Sequence, residues 1–432
     1  MSFQKLELHK LLLKGIQSCQ FESPTEIQAN AIPPALTGQD LIATAQTGTG
    51  KTAAFVIPVL QFLANTWSEQ RQNGKAQTLI LTPTRELANQ VSDNIRQIGR
   101  FMRVRYANIV GGMPYPPQIR LLSQAVDIIV ATPGRLIDHI NNGRVDLSKI
   151  KIFVLDEADR MLDMGFVNDV QTIASQLPQQ RQTLLFSATF EPAVQKIAQQ
   201  LLSNPVSIEL THAFKKHAAI KQCVLQADDY GHKHALLRHI LKDHNLEQAL
   251  VFTSTKRSAE KLAGQLSERG YKSAVLHGDM KQSARKRTID TMKRKRAQIL
   301  VATDVAARGL DIKTITHVVN FDLPSVAEDY VHRIGRTGRA GMSGMAFSLV
   351  GPQDWLYLQE IEKFTGNKIS QTTIQGLEPR LAKPTSMSKK HLKSNNKRPP
   401  VIKHKRNLQK LASLDSSNSK EQRNPVNKTT NN

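Results

Sequence analysis

Three carboxylates, Asp156, Glu157 and Asp159, stand close together in FVLDEADRM (153–161). Carboxylates avoid burial unless something pairs with them, yet these follow directly on an apolar run. Acids at the end of a buried strand can hold a metal ion, or orient and deprotonate a water. The plain alternative is a capping cluster that opens a helix near Ala158. A second string, AQTGTGKT (45–52), offers complementary chemistry. Its glycines let backbone N–H groups approach phosphate oxygens, and a helix N-terminus behind them adds partial positive charge. In such a loop Lys51 reaches the β- and γ-phosphates and the Thr52 hydroxyl holds Mg2+. The strict pattern begins with Gly, where this chain has Ala45. A simple glycine turn is the competing reading, and the strand–loop–helix context argues against it. A strand-end Asp that holds Mg2+ is the usual companion of a phosphate loop. That assigns Mg2+ to Asp156 and the attacking water to Glu157.

Cations appear in the second half. HRIGRTGRAG (332–341) spaces Arg333, Arg336 and Arg339 three residues apart, which on one helix gives a row along one face. Such a row can clamp phosphates or supply an arginine finger; a surface basic helix is the bland alternative. In TDVAARGLD (303–311), Asp304 follows a strand and can take a ribose hydroxyl or simply cap a helix.

These residues need elements to position them. Short apolar, β-branched runs recur at 40–45, 78–83, 127–132, 152–157 and 183–189, then at 249–254, 273–278, 298–303, 316–321 and 344–350. Amphipathic helical stretches such as 85–99 and 256–270 lie between them. Strands alternating with helices predict an α/β fold with parallel sheets covered on both faces. The boundaries expected are a first domain over 1–208, a linker over 209–218, a second domain over 219–366 and a tail over 367–432. MSFQKLELHKLLLKGIQ reads as an amphipathic helix and not as a signal peptide.

The 432 residues suit two domains plus extras. A net charge of +23 points to a polyanionic partner, either nucleic acid or an anionic surface. From Arg380 onward there are fourteen Lys and Arg against two acids, and no aromatic residue follows Phe364. That composition predicts a disordered basic tail that would hold a polyanion by charge and not by base stacking. Two distant cysteines, Cys19 and Cys223, argue against a disulfide framework and a zinc site and fit a reduced, cytoplasmic compartment. The longest apolar stretch, 53–64, is too short to span a bilayer, so no membrane partner is expected.

Taken in order, the strings resemble the DEAD-box RNA helicases. They run PTEIQ (24–28), AQTGTGKT, PTRELA (83–88), GG (111–112), TPGR (132–135), DEAD (156–159) and SAT (187–189). They continue with VFTSTK (251–256), HGD with Gln282 and Arg285, VATDVAARGLD and HRIGRTGR, over roughly residues 3–366. The resemblance implies two RecA-like domains with ATP and Mg2+ bound at their cleft and RNA bound across both. It implies an RNA-stimulated ATPase that unwinds short duplexes locally, and the 361–380 region resembles the bacterial RhlE-type group, with work in ribosome assembly or RNA turnover alongside proteins of those processes.

By the same resemblance, Gln28 reads the adenine edge, Phe21 stacks on the base and Thr25 fixes the loop. Ala45, Gln46, Thr47, Gly48, Thr49, Gly50, Lys51 and Thr52 hold phosphates. Asp156 takes Mg2+ through water and Glu157 is the general base. Asp159 links to Ser187 and Thr189, Asp304 binds ribose, Arg336 and Arg339 meet the γ-phosphate, and His332 bridges the domains. RNA-facing positions are Pro83, Thr84, Arg85, Gly112, Thr132 and Arg135, then Thr253, Gly278 and Thr303. In the family a Gly usually precedes the residue at Phe21, where this chain has Gln20. An ATP-gated RNA clamp or annealing protein, a DNA helicase and a small-molecule P-loop kinase are the competing functions.

Overall fold

All ten apolar runs become strands in the computed structural model, and three further strands join them. The structure describes residues 2–45, 48–66, 75–210, 220–307, 310, 312, 314–338 and 343–382. The predicted tail beyond 382, most of the predicted linker, and Gln46, Thr47 and Arg339 lie outside the described residues.

The first lobe carries β1 (Leu41–Thr44), β2 (Thr78–Leu81), β3 (Tyr106–Ile109), β4 (Ile128–Ala131), β5 (Ile152–Leu155), β6 (Gln182–Ser187) and β7 (Val206–Glu209). They form one seven-stranded sheet in the order β3-β4-β2-β5-β6-β1-β7, with every pairing parallel. The second lobe carries β8 (Ile220–Gln226), β9 (Gln248–Phe252), β10 (Ser273–Leu276), β11 (Ile299–Ala302), β12 (Ile315–Asn320) and β13 (Gly344–Val350). Its order is β10-β11-β9-β12-β13-β8, again all parallel. Central strands such as Ile152–Leu155 and Ile299–Ala302 are buried along their whole length. Helices on both faces exclude water there, so these strands read as continuous apolar runs. Separate apolar clusters fill the two faces of the first sheet, one around Phe55 and Phe186 and one around Phe153 and Leu185. Both lobes belong to one compact unit.

Two readings change. The N-terminal stretch is not one helix. A 3-10 turn at Phe3–Leu6 ends at Glu7, whose φ is +50°, and a helix at Lys10–Ser18 follows. Residues 367–382, which the sequence reading gave to the tail, are tied to the second lobe. Val224, on the outermost strand β8, donates its N–H to the Ser370 carbonyl at 2.9 Å and accepts from the Thr372 N–H at 3.0 Å. Ile374 and Leu377 pack against that lobe's core. Asp228 accepts from the N–H groups of Arg380 and Leu381, and the Gln226 amide donates to the Leu381 carbonyl. Two half-buried apolar side chains and a run of backbone bonds outweigh the polar composition of this short segment.

Candidate nucleotide and nucleic-acid site

In both sheets the chemistry-bearing residues gather at the C-terminal ends of the strands, where open α/β sheets take ligands. After β1 the chain turns through Gly48 (φ +88°) and Gly50 (φ +97°) into the helix Lys51–Asn65. Lys51 is buried in its first turn, and its Nζ has no hydrogen-bond partner among the described residues. An unpaired buried ammonium is costly. Beside a helix N-terminus it fits an incoming anion.

The helix Glu26–Leu36 packs on this loop. The buried Gln28 accepts from the Thr25 N–H at 3.0 Å and donates to the Gly50 carbonyl at 3.1 Å. A Cβ at position 50 would lie 2.5 Å from Gln28 Nε2. Gly50 is therefore required twice, for its φ and for this close approach. Phe21, half-buried, packs beside the same core. Gln20 before it has φ +59°, so the turn the family makes with Gly is made here by a glutamine in the left-handed region.

Asp156 directly follows β5, its N–H bonded to the Leu81 carbonyl at 3.0 Å. It is 2 % exposed. Burial and the neighbouring Glu157 charge push its carboxyl up to about 7, against the pull of Lys51. Glu157 is also buried, with φ +54° at the switch from strand to helix. Burial alone would raise it, but Arg160, Lys51 and Arg336 outweigh burial and hold it below the usual carboxylate range. Arg160 Nη1 donates to Glu157 Oε2 at 2.9 Å, and Arg160 itself is 2 % exposed. Sequence reasoning missed Arg160. Its spacing three residues after Glu157, at the head of a helix, was the available signal.

Asp159 faces the SAT segment. Its Oδ2 accepts from the N–H groups of Ala188 and Thr189 at 3.1 and 3.2 Å, while its own N–H donates to Ser187 Oγ at 3.3 Å. The structure thus brings together Lys51, Asp156, Glu157, Asp159, Ser187 and Thr189. Thr52 follows Lys51 in the same helical turn.

The second-lobe arginines do not form the predicted row. The helix Ala327–Ile334 ends before Arg336, so Arg333 and Arg336 share no helix face. Arg333 turns into its own lobe and grips Asp304 with Nε and Nη2 at 2.6 and 2.7 Å. Its Nη1 donates to the Asn320 side chain and the Asp322 carbonyl. It is 2 % exposed, which makes it a strut and not a clamp. Both oxygens of Asp304, assigned to a ribose from the sequence, are engaged by that strut. Arg336 donates to the Leu310 carbonyl at 2.8 Å. His332 lines one cleft with Asp159 and Thr189 and another with Arg160, Asp304 and Arg336.

The remaining predicted positions occupy the other half of each sheet. In the first lobe they follow β2, β3 and β4. Thr84 caps the helix Arg85–Ile98 by accepting the Leu87 N–H at 3.3 Å. Pro83 precedes it. Gly112 (φ +69°) lies where a Cβ would meet Arg85 Nη1 at 2.1 Å, and the Thr132 hydroxyl accepts the Gly111 N–H. Arg135 donates to the Met113 carbonyl at 2.8 Å and stacks over Tyr115. In the second lobe, Thr253, Gly278 and Thr303 follow β9, β10 and β11. The lobes meet here: Arg85 Nη1 donates to Gln282 Oε1 at 2.9 Å, and Arg285 donates twice to Glu86 Oε1 at 3.0 and 2.7 Å.

Two parallel α/β lobes, one with a phosphate loop and an acid pair and the other adding arginines across the seam, define a two-lobed P-loop nucleoside triphosphatase. Residues 25–197 match the DEAD/DEAH box helicase profile and residues 232–341 the helicase conserved C-terminal domain. The chain is 43 % identical over 385 residues to the ATP-dependent RNA helicase SrmB of Escherichia coli, covering 89 % of this chain and 86 % of that one. It is 44 % identical to the DEAD-box ATP-dependent RNA helicase CshA of Geobacillus kaustophilus, covering 86 % and 78 %. Among solved structures, Dbp5 of S. cerevisiae bound to RNA and ADP BeF3 superposes with a TM-score of 0.77 at 35 % identity, over 88 % of this chain and 95 % of that one. Mss116 bound to ssRNA and UDP-BeF superposes at 0.78 with 29 % identity, over 86 % and 79 %. The chain belongs to the DEAD-box RNA helicase family, and its two lobes are RecA-like. Among the described residues no helix is long and apolar enough to cross a membrane.

Proposed function

We propose that this DEAD-box ATP-dependent RNA helicase couples ATP hydrolysis to the local opening of short RNA duplexes, and that the residues assembled above carry the roles their positions suggest. The unpartnered Lys51 ammonium beside Asp156 and Glu157 carries the reading, because it fits a triphosphate that completes the site. Lys51 and the loop N–H groups bind phosphate oxygens. Glu157, held as a carboxylate by Arg160, accepts the proton of the attacking water. Arg336, and Arg339 with it, meet the γ-phosphate from the other lobe. Gln28, Thr25 and Phe21 form the adenine side, Asp304 the ribose side, and Asp159, Ser187, Thr189 and His332 connect that site to the seam.

The donor set suits Mg2+. Among the described residues no three His, Cys, Asp or Glu converge as a protein-only metal site. That agrees with an ion held by phosphates, water, Thr52 and Asp156. When bound, Mg2+ neutralises charge on the phosphate oxygens. The half-sheets ending in Pro83, Thr84, Arg85, Gly112, Thr132 and Arg135, and in Thr253, Gly278 and Thr303, form the RNA track, which suits backbone recognition without base reading. The 361–380 stretch and the basic tail support membership of the RhlE-type group, cytoplasmic work in ribosome assembly or RNA turnover, and electrostatic tethering of RNA by the tail.

The test is ATP hydrolysis with and without single-stranded RNA, with Glu157→Gln as control. Strong RNA stimulation that vanishes in the variant is expected. Hydrolysis indifferent to RNA would overturn the coupling, and hydrolysis surviving in the variant would overturn the base assignment.

A further inference from the structure

The helix Gln282–Lys293 starts at the seam between the lobes and leads away from it. Its inner side is committed: Arg285 holds Glu86, and Met292 is fully buried. Its outer side is not. Lys286, Arg287, Lys293 and Arg294 are all exposed. At 100° per residue these four fall within a sector of about 120°, as two pairs about 10.5 Å apart along the axis. The turn that follows adds Lys295 and Arg296, also exposed. Asp290 is the one acid in 281–296. Among the described residues, Lys295 pairs with Glu247, and the four face cations show no ion pair. Asp290 stands three or four residues from each of them, and its single charge leaves the face an excess of three positive charges, a field that attracts a polyanion.

We propose that this face is a second phosphate-binding track, which holds the duplex arm of an RNA as it leaves the seam. The proposal rests on the helicase reading and extends it. Two observations favour RNA over an acidic protein. The track is continuous with the candidate RNA half-sheet, because Gln282, at the head of this helix, takes the Arg85 guanidinium. The face also carries a net excess of three positive charges, four cations around the single acid Asp290, with no apolar or aromatic residue exposed among them to seat a protein or stack a base. That composition suits sequence-independent contact with phosphates on both sides of a groove. The core would grip the strand being opened, and the track would keep the remaining duplex from dissociating while it does so.

The experiment uses the full chain and the variant Lys286→Gln/Arg287→Gln/Lys293→Gln/Arg294→Gln. All four side chains are exposed, and thermal melting verifies the fold. Affinity is measured over a salt series for a short single strand and for the same strand extended by a duplex arm. The parent should bind the arm-bearing RNA more tightly. The variant should lose that advantage and keep its affinity for the short strand, and its slope of log affinity against log salt on the arm-bearing RNA should flatten by up to about 3.6. A Lys286→Arg/Arg287→Lys exchange should retain the advantage. The proposal falls if the advantage persists in the quadruple variant or if the short strand is weakened equally. It also falls if the variant loses binding to poly-glutamate while RNA binding stands, which would assign the face to an acidic protein. A parent that binds neither RNA overturns the helicase reading itself, a result separable from all of these.

Discussion

The two sides of the nucleotide cleft handle charge in opposite ways. Among the described residues of the first lobe, Lys51 is buried with no hydrogen-bond partner, Asp156 is pushed toward neutrality, and Asp159 keeps one buried oxygen unpaired. In the second, Asp304 and Arg333 satisfy each other fully, and Arg336 has a carbonyl. Among the described residues, the first lobe keeps unmet valence at the cleft, while Asp304, Arg333 and Arg336 of the second are already partnered. Buried unpaired charge costs stability, and a ligand that satisfies it recovers that cost as binding energy. On the proposed assignment of the triphosphate to Lys51 and its loop, the lobe that receives it is the one left incomplete.

The contrast can be broken, beginning with its largest effects. Glu157→Gln should lower the hydrolysis rate by about 10²- to 10⁴-fold, as expected for loss of a general base, with nucleotide binding retained in a fluorescence titration. Arg333→Met should destabilise the second lobe by about 3–5 kcal/mol, because it leaves Asp304 uncompensated; urea unfolding measures this. Lys51→Met should change the stability of the nucleotide-free first lobe by no more than about 1 kcal/mol while abolishing turnover, because the ammonium's burial cost is offset by its attraction to Asp156 and Glu157. A loss for Lys51→Met as large as that for Arg333→Met would erase the distinction between the lobes. A double-mutant cycle on Glu86→Gln and Arg285→Gln should give a coupling of about 0.5–3 kcal/mol that vanishes if the lobes are separated.

The smallest effect concerns acid. Burial holds His139 in the first lobe, and His234 and His317 in the second, below the ordinary histidine value of 6.5. A folded state that resists protonation loses stability as pH falls below 6.5 and levels off once the depressed value is passed. The second lobe, with two such residues, should soften more between neutral and mildly acidic pH, read as separate transitions in calorimetry. His317→Phe should reduce that slope.

Much of this arrangement was legible in the sequence, and the failures share a cause. Strand runs such as Ile152–Leu155 and Ile299–Ala302 announce themselves because both faces are buried. β3 and β7 escaped because β3 alternates between buried and partly exposed residues and β7 between partly exposed and fully exposed ones, with no apolar run. The phosphate loop was legible because its chemistry is local. Arg333 was misread because spacing along a chain says nothing about where a helix stops, and Gly335 stops this one. Arg160 was missed because its partner, Glu157, was already assigned to water. The segment at 367–382 looked like tail because two apolar anchors carry little weight in a composition average.

That segment lies along the outer strand of the second sheet, and during synthesis it emerges last of the parts that build that lobe. Until residues near 370 have left the ribosome, β8 presents an open row of N–H and C=O groups, the kind of edge that templates pairing with another chain. The segment therefore acts as a seal as well as a connector. A shortened protein ending at the boundary of the matched C-terminal domain, residue 341, would lack both β13 and the seal. One ending at 366 would keep the whole sheet but carry a self-adhesive edge, and its first failure would be clumping in solution, ahead of any loss of chemistry.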